Sequence, residues 1–197
     1  MNKKDPRTVI FIGKAGSGKG VQARLLVEHL GSNKTLYVYS GGKFRSLVKE
    51  TKTHTTRLLK ENVLDAGGLA PRFLAIWAWG DTLIREFSPH YHLVIDGSPR
   101  TLMEAQAFAE ALVFYGREKN VFVVILDIPQ QEVFRRLQLR GRHDDKKEAI
   151  MERLRWFDKN IPPIISYFKK KTSFFVIAVD GVGSEKKVFE RITSAVI

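Results

Sequence analysis

The sequence predicts an α/β fold, a five-stranded parallel sheet with helices packed on both faces. Three observations carry this. Five short apolar runs, at residues 8–12, 35–39, 93–95, 121–128 and 174–179, alternate with longer amphipathic stretches. The runs are continuously apolar rather than alternating, the pattern of strands buried on both faces. Polar and glycine-rich residues follow them at 13–20, 40–45 and 96–100, and ligands of parallel sheets sit beyond the carboxyl ends of the strands.

Taken in order, Thr8 to Ile12 open the sheet and Gly13 closes that strand. Residues 20–30 read as a helix with Leu25, Leu26 and Leu30 on one face and Gly31 as its stop. The second strand follows at 35–39. The interval 42–88 is helical, broken at Asp65-Ala66-Gly67-Gly68, and Pro71 is suited to begin the helix that carries Trp77 and Trp79. That Trp pair reads as packing. So much chain between two strands forms a small helical insertion, residues 41–88. The third and fifth strands both end in Asp-Gly. No repeat, low-complexity tract or linker divides the chain, so 1–197 reads as a single domain.

A chain of 197 residues that is 44% hydrophobic can bury a full core. The absence of cysteine excludes disulfides and thiolate-bound metals and suits a reducing cytoplasm. The polar opening residues are unlike a signal peptide, and no apolar run is long enough to span a membrane, so a cytoplasmic protein is expected. The net charge of +12 favours anionic partners. Nucleotides, nucleic acid and a solvated basic surface all fit that charge.

The most informative segment is Gly13-Lys14-Ala15-Gly16-Ser17-Gly18-Lys19-Gly20. It fits G-x-x-x-x-G-K, with a strand before it and a helix after it, which makes the fold a P-loop three-layer sandwich. Glycines let successive backbone N–H groups converge on phosphate oxygens, and the helix N-terminus adds partial positive charge. Lys19 is placed for the β and γ phosphates of a nucleoside triphosphate. Gly20 stands where Ser or Thr commonly supplies magnesium with a hydroxyl, so the metal needs another ligand. Asp96, in Asp96-Gly97-Ser98-Pro99-Arg100, is the candidate, acting directly or through water.

Arginines supply the second half of the site. Arg45 follows the second strand, Arg100 the third, and Arg136 and Arg140 lie four apart on one helix face, with Arg142 and Arg153 after them. Guanidinium groups match phosphate oxygens bidentately and stay charged. As a set they predict two phosphate chains in one cleft, as phosphoryl transfer requires.

With these motifs assembled, the chain resembles the adenylate kinases, within the nucleoside monophosphate kinases. The resemblance runs through the phosphate loop, Ser40 to Arg45, Gly67 to Ala70, Asp96 to Arg100, Arg136 to Gly141, Asp144-Asp145 and Arg153-Leu154. It implies reversible transfer between magnesium–ATP and a nucleoside monophosphate, AMP foremost. It places Gly16, Ser17, Gly18, Lys19, Gly20 and Val21 on the donor phosphates, with Arg136, Arg140 and Gly183 also on the ATP side. On the acceptor side it places Ser40, Arg45, Gly68, Leu69, Ala70, Gly97, Ser98, Arg100, Glu104, Arg142 and Arg153. Lys19, Arg100, Arg136, Arg142 and Arg153 surround the transferred group. A monomer is also implied.

Four departures from the family pattern bear on this. The lid is reduced to a stub at 141–147, Gly42 replaces a usual Asp, and Val21 replaces a usual Thr. Glu104 replaces a Gln that reads the acceptor adenine. An ionised Glu only accepts hydrogen bonds, which suits guanine or cytosine as well, unless Glu104 points away from the base. The alternatives are therefore a CMP, UMP or GMP kinase, a P-loop kinase for a small metabolite, and a nucleic-acid-associated ATPase.

Overall fold

A computed structural model describes residues 5–141 and 146–197. The strands are β1 (Thr8–Gly13), β2 (Thr35–Tyr39), β3 (His92–Asp96), β4 (Val121–Asp127) and β5 (Phe174–Asp180). They form one parallel sheet in the order β2-β3-β1-β4-β5. The helices are α1 (Lys19–Leu30), α2 (Ser40–Glu50), α3 (His54–Leu59), α4 (Arg72–Glu86), α5 (Leu102–Phe114), α6 (Gln130–Arg140), α7 (Lys147–Lys169) and α8 (Glu185–Val196).

The pleat of β1 divides the core. Ile10 and Ile12 face a cluster with Leu83 of α4, Phe108 and Leu112 of α5, and Ile164 and Phe168 of α7. Val9 and Phe11 face Ala23 and Leu26 of α1 and Val188 and Ile192 of α8. Successive side chains of a strand point to opposite faces, so an unbroken apolar run fills both layers. On α1 the core stripe runs through Ala23, Leu26, Val27 and Leu30, offset from the face expected to contain Leu25, which is only half-buried. Of the two tryptophans expected to pack, Trp79 does, edge-on to Phe108. Trp77 is on the outer face of α4, with the Lys43 ammonium 5.7 Å above its ring.

Helices α2 to α4 occupy the interval between β2 and β3. A π-helical turn, Lys60–Asp65, extends α3, and Pro71 sits at the cap position before α4. This region has its own small core of Phe44, Leu59, Val63, Leu74 and Ala78. Residues 141–146 join α6 to α7, beginning with Gly141 in the left-handed conformation. Arg142 and the Asp144–Asp145 pair lie outside the described residues, as does the side chain of Arg140.

Candidate active site

The topology places the loop after β1 beside the loops after β3, β4 and β5, because β1 is central and pairs with both β3 and β4. One cleft of about 690 Å³ opens there. It is lined by the loop 15–22, by Arg45, Gly67 and Gly68, by residues 96–100, and by Arg136, Arg153 and Gly183. The residues expected to hold donor phosphates and acceptor phosphate thus share one cavity.

The phosphate loop is built by its glycines. Gly16 and Gly18 have φ of +80° and +92°, a region in which other residues carry strain. The Ser17 N–H closes a turn on the Lys14 carbonyl at 3.1 Å, and Gly18 caps α1. The start of α1 therefore lines the cleft through Lys19, Gly20 and Val21, which brings the positive end of that helix to it. The Lys19 Nζ folds back across the loop to the Lys14 carbonyl at 3.2 Å. From below, Ala15 packs against Val133, Leu137, Ile150 and Leu154, so α6 and α7 brace the loop.

Gly20 has a steric role. A Cβ there would stand 3.1 Å from Asp96 Oδ2, so glycine lets the carboxylate approach the start of α1. Asp96 is 3% exposed. Its Oδ2 accepts the Tyr37 hydroxyl at 3.1 Å, while Oδ1 is buried with no hydrogen-bond partner. A buried carboxylate oxygen left unmade is costly, and this carboxylate stands beside the phosphate loop. That fits a carboxylate holding a magnesium-bound water. Among the described residues no three carboxylates or histidines gather as a metal site.

Arg136 is held through all three of its guanidinium nitrogens. Its Nε donates to Glu132 at 2.7 Å, Nη1 to the Ser17 carbonyl at 3.2 Å and Nη2 to the Gly181 carbonyl at 2.9 Å. Arg135 and Arg136 together hold the Glu132 carboxyl at about 2, well below its ordinary value. One arginine thus ties the phosphate loop to α6 and to the loop after β5. Glu132 and Gly181 were not legible as site residues in the sequence.

Arg100 lies over the Trp156 ring at 5.4 Å, and its Nε donates to the Gly97 carbonyl at 2.8 Å. Burial pushes its guanidinium below the usual value, the Glu104 and Asp96 carboxylates oppose this, and the nearby Arg153 pushes further down. Two neighbouring guanidiniums in a shared cavity favour an anion between them. Trp156, which the sequence reading missed, is itself held by an Nε1–H hydrogen bond to the Gly67 carbonyl at 3.2 Å.

Four acceptor-side expectations are placed differently. Glu104 is 1% exposed and turns beneath the Arg100 turn, where Oε2 accepts the Arg100 backbone N–H at 2.7 Å. It supports Arg100 and does not line the cleft. Ser40 is also buried and bonds Ser98 Oγ at 2.6 Å. Leu69 and Ala70 are set back from the lining, which Gly67 and Gly68 supply. The signal for Glu104 was present, since Thr101 caps α5 by accepting the Glu104 N–H at 3.3 Å, which directs that first turn under the loop.

Against known proteins, the family model described as adenylate kinase matches residues 11–173. The chain belongs to the adenylate kinase family. It is 31% identical over 193 residues to an adenylate kinase of Thermus thermophilus, covering 96% of each chain. It is 32% identical over 192 residues to that of Phocaeicola vulgatus, covering 95% of this chain and 97% of the relative. The adenylate kinase of Mycolicibacterium paratuberculosis is 32% identical over 188 residues, with the same coverage.

Proposed function

We propose that the protein transfers the terminal phosphoryl group of ATP to AMP, reversibly, giving two ADP. The observation that carries this is the single cleft in which the phosphate loop faces Arg45, Arg100 and Arg153. The adenylate kinase membership supports AMP over CMP, UMP or GMP. It also favours a nucleotide acceptor over a small metabolite or a nucleic acid.

The residues divide the work. Residues Gly16 to Val21 wrap the donor phosphates, and Lys19 follows the migrating group. Arg45, Arg100 and Arg153 hold the acceptor phosphate in line, with Gly68, Gly97 and Ser98 beside it. Arg136 spans the two nucleotides from the loop side, and Gly183 offers backbone to the donor base. Arg140 is read as a donor-side group and Arg142 as an acceptor-side group at the transferred phosphoryl, both outside the described side chains. Transfer of this kind needs positioning and positive charge around a loose transition state, with little covalent work by protein. The acceptor oxygen is already anionic, so no general base is required. Asp96 would hold magnesium through water, and the bound metal would neutralise charge on the phosphates.

The helices between β2 and β3, residues 41–88, act as the acceptor-binding insertion, and 141–147 as a vestigial lid. Such a lid excludes water less completely than a long one. The protein works as a monomer in the cytoplasm, supported by the cysteine-free composition and by the family. Among the described residues no helix is long and apolar enough to cross a membrane.

The test is a coupled assay with ATP and magnesium against AMP, GMP, CMP and UMP. AMP is expected to give the highest kcat/KM. A tenfold preference for another monophosphate would overturn the acceptor assignment, and no acceptor-dependent transfer at all would overturn the reaction.

A further inference from the structure

Tyr39 lies at the end of β2, lines the cleft, and belongs to none of the motifs above. Its ring is enclosed on two sides. The Arg45 guanidinium lies over it at 5.4 Å and donates from Nη2 to the Tyr39 hydroxyl. Tyr37 also stacks against it, with centroids 5.8 Å apart and planes 16° apart. Tyr37 is in turn tied to Asp96 Oδ2. Burial above all, and then the Asp96 charge, push the Tyr37 hydroxyl far up, so it remains a donor. The ring of Tyr39 also occupies the side-chain space of Gly42. A Cβ at Gly42 would stand 2.5 Å from Tyr39 Cδ1 and 2.9 Å from Cε1.

We propose that Tyr39 is a positioning residue that presets the Arg45 guanidinium for the acceptor phosphate, and that residue 42 is glycine because the Tyr39 ring needs its space. An unrestrained arginine loses rotamer freedom when it grips an anion. A face contact and one hydrogen bond to Tyr39 remove part of that loss beforehand, and leave the other guanidinium N–H groups for phosphate oxygens. The Tyr37–Asp96 bond anchors the shelf to β3, so the acceptor-side arginine and the Asp96 carboxylate share one support.

The inference rests on the reading of Arg45 as an acceptor-phosphate group. Its test is calorimetric titration of AMP without ATP or metal, with steady-state kinetics alongside. Arg45→Ala sets the reference by weakening AMP. Tyr39→Phe, which keeps the ring and removes the hydroxyl, is expected to raise the AMP Kd roughly three- to tenfold. ATP affinity and kcat should stay near wild type. In the Arg45→Ala background the same change should add nothing, since the two act as one unit. Gly42→Ala, which displaces the ring, is expected to weaken AMP in the same way. Unchanged or tighter AMP binding in Tyr39→Phe would overturn the proposal, as would effects that multiply with Arg45→Ala. If Arg45→Ala itself left AMP affinity intact, the acceptor assignment of Arg45 would fall, and this inference with it. A loss confined to the tyrosine and glycine variants' thermal stability, with normal AMP affinity, would also refute it.

Discussion

Gly67→Ala tests the junction between the helical insertion and α7. Gly67 has φ +69° and is buried. A Cβ there would stand 2.5 Å from the Ala149 carbonyl oxygen and 2.9 Å from its Cα. Both are backbone atoms of α7, so no side-chain rotation relieves the overlap. The left-handed conformation costs a non-glycine residue about 1–2 kcal/mol. Overpacking against a fixed wall costs about 1–3 kcal/mol more, so roughly 2–5 kcal/mol is expected in all. For a domain of this size each kcal/mol lowers Tm by about 2–4 °C, which predicts a loss of roughly 4–20 °C. The functional effect should be one-sided. Gly67 accepts from Trp156, Trp156 supports Arg100, and the Arg153 Nη2 reaches the Leu64 carbonyl at 3.5 Å. Separating the insertion from α7 therefore disturbs acceptor groups and spares the phosphate loop. Differential scanning calorimetry and separate ATP and AMP titrations measure both effects. A Tm drop below about 2 °C with unchanged AMP affinity would refute the argument, as would a loss of ATP affinity alone.

Gly80→Ala is the matched control: nothing lies within 4 Å of its Cβ position inside α4, so the change should stabilise by about 0.5–1 kcal/mol, read from the denaturant midpoint. Lys19→Ala should lower kcat about 10²–10³-fold while Tm holds; near-normal turnover in the coupled assay would remove Lys19 from its role. Glu104→Gln should leave the monophosphate preference unchanged, because Glu104 supports Arg100 instead of facing the base; a shift in the AMP-to-GMP ratio of kcat/KM would show that it reads the base after all. His92 is pushed below its usual value, first by burial and then by Arg7, Arg117 and Lys34, and its Nδ1 accepts the Arg7 N–H at 3.1 Å. The unfolded chain then binds the proton more readily, so stability present above about pH 6.5 is lost as pH falls below it; His92→Gln should flatten that loss in urea titrations between pH 7.5 and 5.5.

Much of the fold was legible because parallel strands buried on both faces need continuous apolar runs. β2 has the predicted bounds, and β1, β3 and β5 extend theirs by one or two residues at the ends. The face of α1 was misjudged by one position, since an apolar count cannot tell which of Leu25 and Val27 meets the sheet. Trp77 and Trp79 are two apart in sequence, which on a helix sends them to different faces, and only one packs. The arginines were legible by their positions after strands. Their supports were not, because Trp156 and Gly181 come from segments far from Arg100 and Arg136, while Glu132 and Tyr39, though near Arg136 and Arg45 in sequence, belong to no motif.

The sequence by itself determined the phosphate loop, since strand, glycines, lysine and helix are contiguous and local backbone geometry makes the anion cradle. It also determined that enough cations exist for a second phosphate. Only the tertiary structure decided where they converge. Strand order sets β3 beside β1, which brings Asp96 to Gly20 across 76 positions. It also set the Glu104 carboxylate beneath the Arg100 turn, where it accepts the Arg100 backbone N–H. A side chain's spacing in sequence says which face it leaves, while packing against elements far along the chain decides what it meets.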